Sequence, residues 1–185
     1  MIKIKLTGAA LALVVAGGAG SAIAQTPPPP PPPEAMTQAM PYVMAAGMSD
    51  LYEINSSQIA MQKSQNPKIR QFANMLIKDH TKTTAATMKA AQKAGLNPPP
   101  PMLDAGATAS IAELQNAPAA DFDRLYIGQQ IPAHRAAFGL HSHYANAGDN
   151  SALRSSARKA IAPVAHHLDM ANKLQKDMMG KMSGM

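Results

Sequence analysis

Apolar residues recur at helical spacing in four long stretches of this chain, and each boundary between them falls on helix breakers: "QNPK" at 65–68, "GLNPPPP" at 95–101 and "NAGDN" at 146–150. Runs of β-branched residues are almost absent. At 100° per residue, Ile69, Phe72, Ala73, Leu76, His80, Thr87 and Ala94 share one face of the second stretch. Leu153, Ala157, Ala160, Val164, His167, Ala171 and Leu174 do the same on the fourth. Phe122, Ile127, Ile131, His134, Phe138 and His141 lie within a broader stripe on the third, which Gln130 joins. The first stretch reads two ways. Val43, Gly47, Leu51, Ile54 and Met61 make one stripe, whereas Glu53 sits on a small-residue face with Ala46, Ser57 and Ala60.

The breakers set the boundaries. The first helix is predicted over roughly 41–64. Asn66 reads as an N-cap with Pro67 at the first helical position, and Gly95 stops the helix that follows. A third helix starts near Ala119 or Ala120 and ends before "NAGDN"; a fourth, capped by Asp149 or Asn150, runs to about Asp177. The proline-rich connector leaves room for a short extra helix at 108–116. Four amphipathic helices with one long crossover predict an all-α four-helix bundle over 40–177.

The remaining segments read as address and spacer. Residues 1–24 carry Lys3 and Lys5, an apolar stretch, and Ala22-Ile23-Ala24 before Gln25, the pattern of a secretory signal cleaved after Ala24. Residues 25–39 hold seven consecutive prolines, a stiff polyproline II spacer of about 3.1 Å per residue. Residues 178–185, "MMGKMSGM", read as a Met-rich flexible tail. The chain has no cysteine, hence neither disulfides nor a thiol for lipid attachment. These features predict a periplasmic or secreted protein of the bacterial envelope, not integral in the membrane once the signal is removed.

The net charge is +6, or +4 without Lys3 and Lys5, and it is scattered along the chain. With three Phe, four Tyr and no Trp there are few stacking platforms, so a nucleic-acid surface is not expected. No Gly-x-Ser-x-Gly, no phosphate-cradling glycine loop and no inward carboxylate pair appears, which leaves no catalytic residues to name.

Longer stretches carry a resemblance. "YEINSSQIAMQKSQNPKIRQFANMLIKDHTK" and "FDRLYIGQQIPAHRAAFGLHSHYANAGDNSALRSSARKAIAPVAHHLDMANKL" resemble the exported bacterial family called domain of unknown function 4142, over roughly residues 40–175. The matching pieces are Glu53, the Asp79-His80 pair, Phe122-Asp123 through Tyr126 to His134, and Pro163 with His167-Leu168. The resemblance implies a ferritin-like fold. The label of outer-membrane protein that travels with the family is read here as envelope residence.

Chemistry rests on the histidines. His80, His134 and His167 each fall on the apolar stripe of a different helix, with Glu53 on the remaining one, and one inward ligand per helix is how bundles hold metal. Imidazole and carboxylate suit zinc, iron, manganese or copper. No Glu-x-x-His occurs, since Ile77, Ile131 and Val164 stand three residues before these histidines, so a ferritin-type di-iron site is not expected. The competing reading makes them core residues bonded to groups such as Asp79, Asp123, Tyr126, Gln130 or the Lys159 carbonyl freed by Pro163. His141 lies two turns, about 10 Å, beyond His134. His143 and His166 face away from the stripes. Thioethers offer a third chemistry, Cu(I), through Met36, Met40, Met44 and Met48 or through Met178, Met179, Met182 and Met185, although Pro41 interrupts the first series.

The leading reading is a non-enzymatic exported bundle with an envelope-interaction or stress-related role, its partner an unidentified envelope protein or surface. The alternative is a single-metal site made by Glu53, His80, His134 and His167. The third is copper binding through the Met-rich ends.

Overall fold

Each predicted breaker does its work by a specific hydrogen bond. In the computed structural model, which describes residues 28–183, Asn66 Oδ1 accepts from Lys68 N at 3.0 Å and opens helix α2, Pro67–Lys93. Gly95 adopts φ +73° and closes it, with Gly95 N donating to Gln92 O and Leu96 N to Ala91 O. These bonds satisfy the last carbonyls of the helix, and Leu96 packs in the same apolar cluster as Ala91. Helix α1, Ala39–Lys63, precedes α2, and Pro41 falls in its first turn, where a missing N–H costs nothing. Helix α3 spans Ala105–Asn116, three residues longer at its start than predicted, because Asp104 Oδ1 caps Ala107 N at 2.7 Å. Helices α4, Ala119–Ala147, and α5, Ser151–Ser183, complete the set, and Asn150 Oδ1 caps α5 at Ala152 N and Leu153 N.

The described residues form helices and no strands, as predicted. Hairpins α1–α2 and α4–α5 lie side by side, with α1 against α4 and α2 against α5, while α3 rides on α1 and α4 within the crossover. The stripes predicted for α2 and α5 are buried except Ala94, which is half-buried. On α1 the small-residue face turns inward: Ala46, Glu53, Ser57 and Ala60 are buried, whereas the other stripe is buried only at Val43 and Gly47 and half-buried at Leu51, Ile54 and Met61. Small side chains let α1 approach its neighbours closely. On α4, Phe138 falls at the edge of the stripe and is 38% exposed.

Two other expectations change. The proline run predicts a spacer without a core, yet from residue 28 it lies on the bundle. A Cβ at Gly106 would sit 2.7 Å from Pro29 Cδ, and the short 3₁₀ helix Pro33–Met36 buries Ala35 completely. The composition of the tail from 178 predicts flexibility, yet α5 continues to Ser183, since one glycine at 180 costs only about 1 kcal/mol against alanine and Met and Lys are good helix formers. The signal segment 1–24 lies outside the described residues.

Two apolar clusters fill the bundle. One gathers Ile69, Phe72, Leu76, Tyr126, Ile127 and Leu174; the other gathers Tyr42, Val43, Leu140, Tyr144, Leu153 and Ala157. On all four long helices the stretch between them carries Glu53, His80, His134 or His167. The polar residues therefore form a layer across the middle of the core.

One packing contact outside that layer gives a direct test. A Cβ at Gly148 would lie 2.5–2.7 Å from the Tyr144 ring, which is buried, stacked on Tyr42 at 3.9 Å and tied through its hydroxyl to Asp149. The backbone there, φ −62°, suits any residue, so only crowding opposes a side chain. Gly148→Ala is expected to lower stability by about 1–3 kcal/mol. A denaturant midpoint unchanged from the parent would show that the ring has room to move.

Candidate metal centre

Three imidazoles meet in the middle layer. The ring centroids of His80, His134 and His167 are 5.6, 5.4 and 5.3 Å apart, and one nitrogen from each ring lies within 4.8 Å of the other two. All three side chains are 2% exposed or less. A zinc ion with Zn–N bonds of about 2.0–2.1 Å needs nitrogens about 3.4 Å apart in a tetrahedron.

Each ring is held from outside by one nitrogen. His80 Nδ1 lies 2.7 Å from Asp50 Oδ1, and Thr84 Oγ1 donates to Asp50 Oδ2 at 2.8 Å. His134 Nδ1 lies 2.9 Å from Gln130 O. A carbonyl only accepts, so Nδ1 of His134 carries the proton and its Nε2 keeps a bare lone pair. His167 Nε2 lies 3.3 Å from Asp79 Oδ2, at the edge of the bundle. A carboxylate or carbonyl behind each ring fixes its tautomer and orientation, the arrangement that supports metal-bound histidine.

The opposite nitrogens have nothing to bond. Among the described residues, seven buried side-chain polar atoms lack a hydrogen-bond partner, and six of them lie in this layer: His80 Nε2, His134 Nε2, His167 Nδ1, Gln130 Oε1 and both carboxyl oxygens of Glu53. A buried polar atom without a partner costs about 1–3 kcal/mol, so six in one place need a common explanation. Hydrogen-bonding histidines of the ordinary core kind do not supply one, because that role uses only the outer nitrogens.

Glu53 occupies the fourth side. It is wholly buried, and its Oε1 lies 3.4 Å from His134 Nδ1, beside the imidazole triangle rather than at its centre. Gln130 Nε2 points to Ser56 Oγ at 3.0 Å, and Ser57 pairs with Tyr126 at 2.8 Å. Burial pushes the Glu53 carboxyl up to about 8, against the pull of the His80 charge. Burial also acts on the histidines. It drives His134 well down, helped by the His80 charge, and brings His167 to about 4. On His80 the same burial is outweighed by the Asp50 hydrogen bond and charge, and the net shift is upward.

All four predicted ligands thus lie in one layer, with the three histidines converging and Glu53 adjacent. His141 is buried in the neighbouring cluster against Tyr42 Oη at 3.0 Å and takes no part, while His143 and His166 are exposed. Asp79 is a partner as anticipated, and His167 takes it. Tyr126 bonds Ser57 instead of a histidine. Asp50 was missed: it stands three residues before Glu53 on the small-residue face, which was the available signal. Met40, Met44 and Met48 share the unbroken α1, because Pro41 does not interrupt it.

A family model described as a domain of unknown function (DUF4142) matches residues 24–174. Among solved structures, the chain is similar to CopM in its Cu(I)-bound form, with 18% identity and a TM-score of 0.66 over 76% of this chain and 97% of that one. CopM in its Cu(II)-bound form gives 17% and 0.65 over 76% and 97%. A DUF305 fragment from Deinococcus radiodurans gives 15% and 0.66 over 80% and 99%. At these identities the likeness is one of fold. No curated protein sequence matches the chain.

Proposed function

The chain belongs to the domain of unknown function 4142 family, and from that premise we propose that it is a non-enzymatic metal-binding bundle of the cell envelope. His80, His134 and His167 hold one divalent transition ion, and Glu53 supplies the negative charge beside it. The observation that carries this reading is the set of unpartnered inner nitrogens on three rings whose outer nitrogens are all engaged. Nitrogen and carboxylate donors suit zinc, manganese, iron or Cu(II). Copper is among the first ions to test because CopM, a fold neighbour, has been solved with it.

The closed surroundings favour holding an ion over turning over a substrate. The ligands are buried between two apolar clusters. The envelope address rests on the signal-like residues 1–24; no described helix is long and apolar enough to cross a membrane. Interaction with an envelope partner is compatible with this role, the ion then serving to rigidify the bundle.

Thermal melts of the chelator-stripped protein, with and without each ion, test the proposal. An ion at a hundred times its dissociation constant should add about 2.7 kcal/mol, or roughly 5–10 °C for a domain of this size. Binding should weaken as the pH falls, because the Asp50 carboxylate favours the protonated form of His80, which must lose a proton to bind. Identical melts with every ion would end the metal reading.

A further inference from the structure

A groove of about 660 Å³ opens on the flank of the bundle, away from the histidine layer. Three separate pieces of chain each bring methionine to it: Met44 and Met48 from α1, Met88 from α2 and Met102 from the crossover. The antiparallel hairpin explains the meeting of the first three. Met44 and Met88 stand about equally far from the α1–α2 turn and so lie level, and Met48 is one turn along from Met44 on the same face. Prolines at 29, 30 and 32 form one wall and those at 99–101 another.

Gap-filling accounts for Met88, which packs against the apolar cluster of Tyr42 and Leu153, but not for Met44 and Met102. Met44 is 51% exposed and Met102 77%, and they are two of only four large hydrophobic residues so exposed among the described residues. A thioether held in water at a groove's rim contributes little packing. The charge is also unusual. Glu34 and Asp104 line the groove and no Lys, Arg or His does, in a chain whose net charge is +6. Soft sulfur donors under a local negative potential suit a soft cation.

We propose that Met44, Met48, Met88 and Met102 form a second metal site, specific for a soft monovalent ion such as Cu(I) or Ag(I). It is independent of the histidine centre in position and in chemistry. Imidazole competes with protons for its metal, whereas a thioether has no proton to lose in this range. The groove therefore keeps its ion in mild acid.

The test is competition of the full chain against a chromophoric Cu(I) chelator at about pH 5, with Ag(I) as a redox-inert second probe. Changing all four methionines to leucine preserves apolar volume and removes every sulfur. Cu(I) affinity should then fall by about a hundredfold, while zinc stabilisation at neutral pH stays as in the parent. The pair Met44→Leu and Met102→Leu alters only the exposed sulfurs, keeps the fold, and should cost about tenfold. His80→Asn with His167→Asn, and deletion of 178–185, should leave the acid-stable Cu(I) in place. Parental affinity in the folded double-leucine protein, or loss of the ion on deleting the tail, overturns the proposal.

Discussion

Replacing His134 with leucine should leave the bundle folded and remove its response to divalent metal. Leucine keeps most of the ring's apolar volume, and His134 Nε2 is one of the orphaned nitrogens, so its removal relieves a cost. The Gln130 carbonyl that its Nδ1 touches belongs to the helix ladder of α4 and keeps that role. The net change in stability of the metal-free protein should stay within about 1.5 kcal/mol. The gain from saturating zinc, about 2.7 kcal/mol at a hundred times the dissociation constant, should vanish with the ligand. Paired melts in chelator and in zinc read both quantities. A variant that unfolds in chelator yet still gains from zinc would assign His134 to packing alone.

Glu53→Gln should make the metal-free protein more stable and, at the same time, a poorer metal binder. The unfolded chain releases this proton near 4.5 and the folded chain near 8. Between those values the folded state keeps a proton that the unfolded state has lost, so this residue's contribution to stability declines as pH rises from 4.5 and is lowest above 8. A gap of about 3.5 in pKa corresponds to about 5 kcal/mol. Glutamine has no charge to bury, so the variant should exceed the parent by several kcal/mol at about pH 9 and by little at about pH 5. Loss of the negative charge beside the ion should weaken binding by about tenfold or more. Urea midpoints at the two pH values decide the matter. Equal destabilisation at both would mean that the carboxyl is bonded in the core and its burial is structural.

The helices and the four site residues were legible because both depend on local chemistry. Asn66, Gly95 and Asn150 act through their own side chain or backbone, and 3.6-residue periodicity is enough to align His80, His134 and His167 with buried leucines and alanines. What escaped depends on neighbours. The buried face of α1 is made of Ala, Ser, Asp and Glu, and hydropathy alone ranks such residues below the Leu51–Ile54 stripe. Asp50 was hidden for the same reason, since a carboxylate is read as solvated until the His80 ring opposite it is known. The proline segment reads as a rod in any sequence, and only Gly106 and the groove beneath it reveal that it lies on the bundle. The convergence of Met88 and Met102 on Met44 comes from the hairpin and the crossover, which no periodicity in one segment encodes.

X-ray absorption on the zinc-loaded protein tests the central claim most directly. The account predicts a light-atom shell at about 2.0–2.1 Å with the outer-shell scattering of about three imidazoles. Zinc in a light-atom shell without imidazole scattering, or in a sulfur shell near 2.3 Å, would contradict it.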